Sequence, residues 1–347
     1  MFPSSSRVPG CRKRAELFGK RSKVYSAHAK GDETTSPLYS LTRMHTLEQP
    51  TLQSKRVMRW LGHLWREWTI ESWRPIAPAF AKPEPLKWND AQLTAAWIGH
   101  ATVLINFSGI TILTDPVLFP RVGIRLPGLT IGPKRLIAPA LEFHELPKID
   151  IVILSHAHFD HFDLRTLHRF DKDTRVITAP NTADLLRWTP LRDITELRWG
   201  ERKSFNTAAG AITISAFQVK HWGARMQRDT HRGYNGYLIE RNGRRILFAG
   251  DTALTDTFAE LRKYGPIDLA IMSIAAYNPW IRNHCTPEQA IEMATAAGAR
   301  FIMPVHHQTF RLSFEPFREP IERFQAALSN TPERIALREV GETFVLP

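Results

Sequence analysis

The stretch Ile153–Asp163 reads ILSHAHFDHFD, three histidines and two aspartates at the end of an apolar run. In a tight turn after a strand, His156 and His158 can face one metal ion from the same side. Asp160 and His161 then project toward a second site. Four local groups do not complete two sites, so the motif calls for ligands elsewhere. His221 in QVKHWG, Asp251 in FAGDT and His306 in MPVHHQTF each stand at or just past the end of an apolar run. Imidazoles and hard carboxylates together suit Zn2+, and Mn2+ or Fe2+ are compatible with the same donors. An aspartate between two cations can bridge them roughly 3.5–4 Å apart. The two cysteines, Cys11 and Cys285, are far apart and belong to no CxxC, so neither a disulfide framework nor thiolate ligation is expected.

Working outward, the chain is α/β from about Leu93. TVLINF and ITILTD are strands joined at Ser108-Gly109, IDIVILSH is a buried strand, and YNGYLIERNGRRILFAGD is a hairpin turning at Asn242-Gly243. DLAIMSI and RFIMPVHH are further strands. TPEQAIEMATAAG reads as a helix with Thr286 as N-cap, Pro287 at its first position, Gln289 closing a capping box and Gly298 as terminator. Polar clusters at strand ends are where α/β folds place chemistry.

The net charge of +12 is uneven. Residues 1–80 hold 14 Lys/Arg against 6 Asp/Glu, a balance of +8, which leaves +4 for the rest. A nuclease is therefore disfavoured, because the charge is not gathered around the motif. Residues 1–50 are rich in Arg, Lys and Ser without periodicity and read as a disordered basic extension, or as untranslated sequence before a start at Met44. Organelle targeting ranks below both. Residues 51–92 are expected to form an amphipathic helix and a Pro-rich linker. Within 53–70, Val57, Trp60, Leu61, Leu64, Trp65 and Trp68 recur at helical spacing beside basic residues. Such a stripe buries against the domain or a second subunit, as in a homodimer, or else touches a membrane surface. No apolar run is long enough to span a bilayer, and no phosphate-binding glycine loop or G-x-S-x-G elbow is present. A cytoplasmic location, or a peripheral one at the inner membrane face, is the expectation.

The segments WIGHATVLINFSGITILTDPV, ILSHAHFDHFD, HWGAR, FAGDT, AYNPW, CTPEQA and VHHQTF, in this order, resemble the metallo-β-lactamase superfamily. Within it they are similar to the N-acylphosphatidylethanolamine-hydrolysing phospholipase D branch and its bacterial relatives. The resemblance covers residues 93–347 and implies a four-layer αββα sandwich. It also implies that His156, His158 and His221 hold one zinc, that Asp160, His161 and His306 hold another, and that Asp251 bridges them. Asp115 in TDP would brace the site, and His284 and Tyr277 would lie near the substrate, with Asp160 also handling the proton of the attacking water. His100 in IGHAT matches the branch as either a brace or a structural residue. Asp163 is expected to cap the following helix rather than bind metal. Two departures stand out: Ala157 replaces a common glycine, and His307-Gln308 replaces a Trp-Gly pair, which is expected to alter the pocket wall.

The resemblance implies a binuclear zinc hydrolase, a phosphodiesterase acting on N-acyl phospholipids through a metal-bridging hydroxide. A zinc-dependent lactone, ester or amide hydrolase is the alternative, since the same metal pair serves any acyl electrophile. A membrane-docking protein with a vestigial site is disfavoured by the complete ligand set. The insert Val117–Pro147 mixes apolar side chains with Arg121, Arg125, Lys134 and Arg135, and is expected to supply a lipid groove with cations for a phosphate headgroup.

Overall fold

Alternate residues of the strands divide between different cores, and that division sets the architecture. The computed structural model describes Gly62, residues 71–226 and residues 228–347. The extension at 1–50 and the helix expected at 53–70 lie outside the described residues, Gly62 apart. Among the described residues fifteen strands follow in order: β1 (Leu93–Gly99), β2 (Thr102–Phe107), β3 (Ile110–Thr114), β4 (Ile124–Leu126), β5 (Leu129–Ile131), β6 (Ile151–Ile153), β7 (Arg175–Thr178) and β8 (Ile194–Glu196). Then come β9 (Arg202–Thr207), β10 (Gly210–Phe217), β11 (Gly236–Arg241), β12 (Arg244–Phe248), β13 (Ile267–Ser273), β14 (Ala299–Val305) and β15 (Thr343–Val345). One large sheet has the order β15-β1-β2-β3-β6-β7-β8 and a second β14-β13-β12-β11-β10-β9, while β4 and β5 pair with each other as a separate ribbon.

In β1, Ala95 and Trp97 join a core shared by both sheets, whereas Ala96 and Ile98 face a second core outside the first sheet. In β12 and β13, Ile246, Phe248, Leu269 and Ile271 face the shared core, while Leu247, Ala270 and Met272 face helices. This is the period-2 geometry of strands covered on both faces, and it explains why the sequence shows continuous apolar runs rather than alternation. The helices Pro287–Ala296 and Glu319–Ala327 cover the second sheet through Ala290, Met293, Ile321 and Phe324. Leu167, Phe170, Leu186 and Leu191 cover the first. The four αββα layers expected from the resemblance are present.

Local chemistry agrees. Ser108 and Gly109 (φ +52° and +85°) and Asn242 and Gly243 (φ +48° and +74°) make two-residue hairpin turns, the left-handed pair that matches strand twist. Thr286 accepts from the Gln289 N–H and Gln289 accepts from the Thr286 N–H, the capping box expected there. Asp163 caps the single helical turn Leu164–Leu167, accepting from the Arg165 N–H. The helix expected after Asp163 is thus a single turn.

The Pro-rich stretch at 71–92 is pinned to the domain. Ala77 bridges to Ile137, Arg74 donates to the Arg135 carbonyl at 2.7 Å, and the Ala81 N–H reaches the Val340 carbonyl at 3.2 Å. At Gly341 (φ +97°) a β-carbon would lie 1.7 Å from the Ala81 oxygen, so only glycine permits this approach. Among the described residues no helix is long and apolar enough to cross a membrane.

Candidate metal centre

Every expected ligand comes from the end of a strand or the loop beyond it, at one rim of the sandwich. The turn after β6 carries His156 to His161, and its carbonyls are held from outside. Arg225 donates to the Ala157 and Phe162 oxygens at 2.9 and 2.8 Å, with its guanidinium 4.1 Å over the Phe159 ring. Gly250 (φ +60°) follows β12 and lets Asp251 approach the motif. A β-carbon there would stand 2.8 Å from Cβ of Ser155.

Nitrogens converge in a first group. His156 Nε2 lies 2.8 Å from His158 Nδ1, and His221 Nε2 lies 3.3 Å from the same atom. The other nitrogen of His221 donates to the Asn283 carbonyl at 2.8 Å, which turns Nε2 inward as a bare lone pair. In a second group, His161 Nε2 and His306 Nε2 are 3.1 Å apart. Asp160 Oδ2 lies 3.4 and 3.5 Å from them, and Asp251 Oδ2 lies 3.0 and 3.2 Å from them. Asp251 Oδ2 is also 3.9 Å from His221 Nε2, so one oxygen faces both groups. Its other oxygen accepts from the Ser273 hydroxyl at 2.7 Å.

Asp115 braces this arrangement from beneath. It accepts from the Ser155 N–H at 2.7 Å, from the Ser155 hydroxyl at 2.5 Å and from His161 Nδ1 at 2.7 Å. That last bond fixes the tautomer of His161 and aims Nε2 at the centre, as a carboxylate behind a ligating histidine does.

The electrostatics have one logic. Burial pushes His156 and His221 well below the ordinary imidazole value, and His158 down to about 4. Burial alone would raise Asp251 and Asp160, but the neighbouring His161 and His306 hold both well below the carboxylate range. The reciprocal effect of Asp251 and Asp160, against burial, raises His306 to about 9 and His161 well above its ordinary value. Imidazole lone pairs pointed at one another repel unless a proton or cation stands between them. Atoms binding zinc tetrahedrally at about 2.0–2.1 Å lie about 3.3–3.4 Å from each other. The observed 2.8–3.5 Å separations, the neutral His trio and the two ionised carboxylates fit divalent cations held by nitrogen and oxygen.

A β-lactamase superfamily domain is matched over residues 111–307. An uncharacterised protein of Mycobacterium bovis is 32% identical over 275 residues, covering 76% of this chain and 71% of its own. N-acyl-phosphatidylethanolamine-hydrolyzing phospholipase D 1 of Caenorhabditis elegans is 32% identical over 252 residues, covering 68% of this chain and 70% of its own. The chain belongs to the metallo-β-lactamase superfamily. It is a metal-dependent hydrolase of that superfamily. Its fold is also that of Igni18, a metallo hydrolase of the archaeon Ignicoccus hospitalis KIN4/I, with a TM-score of 0.55 at 19% identity, covering 74% of this chain and 99% of the other.

The mouth of this metallo-β-lactamase site is a cleft of about 220 Å³ lined by His158, Asp160, Trp222, Asp251, Ala276, Trp280, His284 and Leu312. Trp222 and Trp280 are 38% and 47% exposed and flank it. His284 lines this mouth, with Nδ1 3.8 Å from Asp251 Oδ2 and burial pushing it down to about 4.

Several other expectations are corrected. The Tyr277 hydroxyl donates to Glu319 at 2.8 Å and does not line the mouth. Arg121 donates to the Gly132 carbonyl and the Ser72 hydroxyl, and Lys134 to the Ser72 and Arg74 carbonyls. Arg135 is fully buried and donates to the Val117 and Phe119 carbonyls. Donors spent on backbone carbonyls hold the insert together rather than meeting a headgroup. Arg125 lines a different hollow, of about 560 Å³, beside Phe159 and Arg225. His307 does not reach the mouth: its ring packs 4.5 Å from Trp97, and burial pushes it down to about 3.

The sequence assigned no part in the site to Trp222, Trp280 or Arg225, and left the part of His100 open. Only their segments, HWGAR, AYNPW and IGHAT, offered a signal.

Proposed function

We propose that this chain is a binuclear zinc phosphodiesterase of phospholipase D type acting on N-acyl phospholipids. The observation that carries this reading is the mouth: two half-exposed tryptophans with Ala276 and Leu312 stand directly beside the ligand cluster. Among the described residues that line it there is no Lys or Arg. An amphiphile suits such a site, with its one phosphodiester charge met by metal and its chain against the aromatic rims. The likeness to the Caenorhabditis elegans phospholipase D supports the same class.

His156, His158 and His221 would hold one ion and Asp160, His161 and His306 the other, with Asp251 Oδ2 shared. Ions so held would lower the pKa of bound water toward neutrality and offset charge on the phosphoryl oxygens. Asp160, partly exposed at the mouth, orients the proton of the attacking water. His284, kept neutral by burial, offers the substrate a hydrogen bond rather than a full positive charge. The apolar rims exclude bulk water around the scissile bond.

The test is a hydrolysis panel of an N-acyl phosphatidylethanolamine in mixed micelles, bis(p-nitrophenyl) phosphate, a lactone and single-stranded RNA, each with and without chelator. Chelator-sensitive release of phosphatidic acid is expected. Rapid lactone opening with no phosphodiester turnover above the chelated control would establish the acyl-hydrolase alternative instead.

A further inference from the structure

We infer that His100 is a positioning residue for the metal centre, acting through a hydrogen bond to Asp160 and a backbone tie to His306. The inference rests on reading Asp160, His161 and His306 as metal ligands. His100 sits in the turn between β1 and β2, in the first sheet, with φ +54°. A β-carbon in the left-handed region is strained for most residues, so the position favours glycine or asparagine on backbone grounds alone. The imidazole there has a specific partner. His100 Nε2 lies 2.9 Å from Asp160 Oδ2, the oxygen that also faces His161 and His306.

A carboxylate only accepts, so Nε2 carries the proton and donates. Nδ1 is then a bare lone pair, and it is buried with no hydrogen-bond partner among the described residues. The backbone of the same residue works on the other sheet. Its carbonyl accepts from the His306 N–H at 3.0 Å and from Trp97 Nε1 at 2.7 Å. Its N–H donates to the Thr309 hydroxyl at 2.8 Å. The ring centroids of His100 and His306 are 4.1 Å apart, and Phe310 closes the far side at 5.1 Å. One residue of the first sheet thus fixes both the Asp160 oxygen and the main chain bearing His306, and so sets the spacing between ligands from opposite sheets.

Two substitutions separate this role from a merely structural one. A glutamine amide nitrogen can reach the place of Nε2, whereas an asparagine amide nitrogen reaches only that of Nδ1. Asparagine also tolerates positive φ better, so on backbone grounds His100→Asn should be at least as stable as His100→Gln. Full-chain protein is dialysed against buffered free zinc, and zinc per chain is read by elemental analysis. Urea midpoints are read in chelator. His100→Asn is expected to weaken zinc retention roughly 10–100-fold, as loss of a ligand's hydrogen-bond partner does. His100→Gln should restore most of it, with metal-free urea midpoints ordered the other way or equal. Zinc retention that is unchanged in His100→Asn, or lost equally in both variants, overturns the positioning role. Wild-type chain that retains no zinc overturns the metal reading beneath it. A chain that retains zinc but cleaves no phospholipid overturns only the proposed substrate and leaves the His100 result standing.

Discussion

Single side chains carry two of the clearest consequences. Tyr277 donates its hydroxyl to Glu319, on the helix that covers the second sheet, and not to anything at the mouth. Tyr277→Phe should cost about 1 kcal/mol of stability, the net worth of one hydrogen bond, and leave kcat within about twofold. Urea denaturation and steady-state kinetics decide it. A large fall in kcat at unchanged stability would return the tyrosine to catalysis. Cys285 packs beneath the site, donating to the Ser273 carbonyl at 3.3 Å, and burial pushes its thiol from an ordinary 9.0 up to about 12. The folded chain therefore keeps this proton while the unfolded chain loses it above pH 9. Between pH 9 and about 12 folding should weaken by about 1.4 kcal/mol per unit more steeply in wild type than in Cys285→Ala. Parallel pH profiles for the two proteins would contradict this burial effect.

At the scale of elements, the insert after β3 shows how a basic segment can be structural. Arg135 lies 4.9 Å over the Phe310 ring and bonds two carbonyls of its own segment, while Arg74 reaches in from the stretch before β1. Arg135→Met removes a donor from one buried and one part-buried carbonyl, for a loss of about 2–3 kcal/mol. KM for any substrate should stay within about twofold, because the guanidinium does not line the mouth. A KM raised tenfold at unchanged urea midpoint would make it a substrate ligand after all. Composition could not reveal this. A cation in a loop looks the same in sequence whether its partner is a headgroup or a carbonyl.

For the whole molecule, ligands from both sheets make metal binding part of folding. His161 and His306 sit high enough, beside two aspartates, to hold protons that a cation would displace. Zinc uptake near neutral pH should therefore release protons, read as a heat that changes with buffer ionisation enthalpy. Chelation should lower stability by about 4 kcal/mol per bound ion relative to free zinc at a thousandfold excess over Kd. Titrations that release no protons would contradict the ionisation pattern.

The sequence by itself determined the strands at 102–114, 236–248 and 267–273, the capped helix at 287–296, and the histidine-rich turn at 156–161, while the resemblance added His221, Asp251 and His306 to it. These features are local. Apolar runs, turn residues at fixed offsets and a histidine-rich turn announce themselves within a few positions. Only the tertiary structure decided that Arg121, Lys134 and Arg135 face backbone, that Tyr277 points to Glu319, and that Trp222 and Trp280 flank the mouth. It also brought His100 against Asp160 across 60 positions of chain. Partner choice for a long polar side chain depends on which surfaces the two sheets bring together. No local pattern encodes that, because the competing partners lie tens to hundreds of residues away.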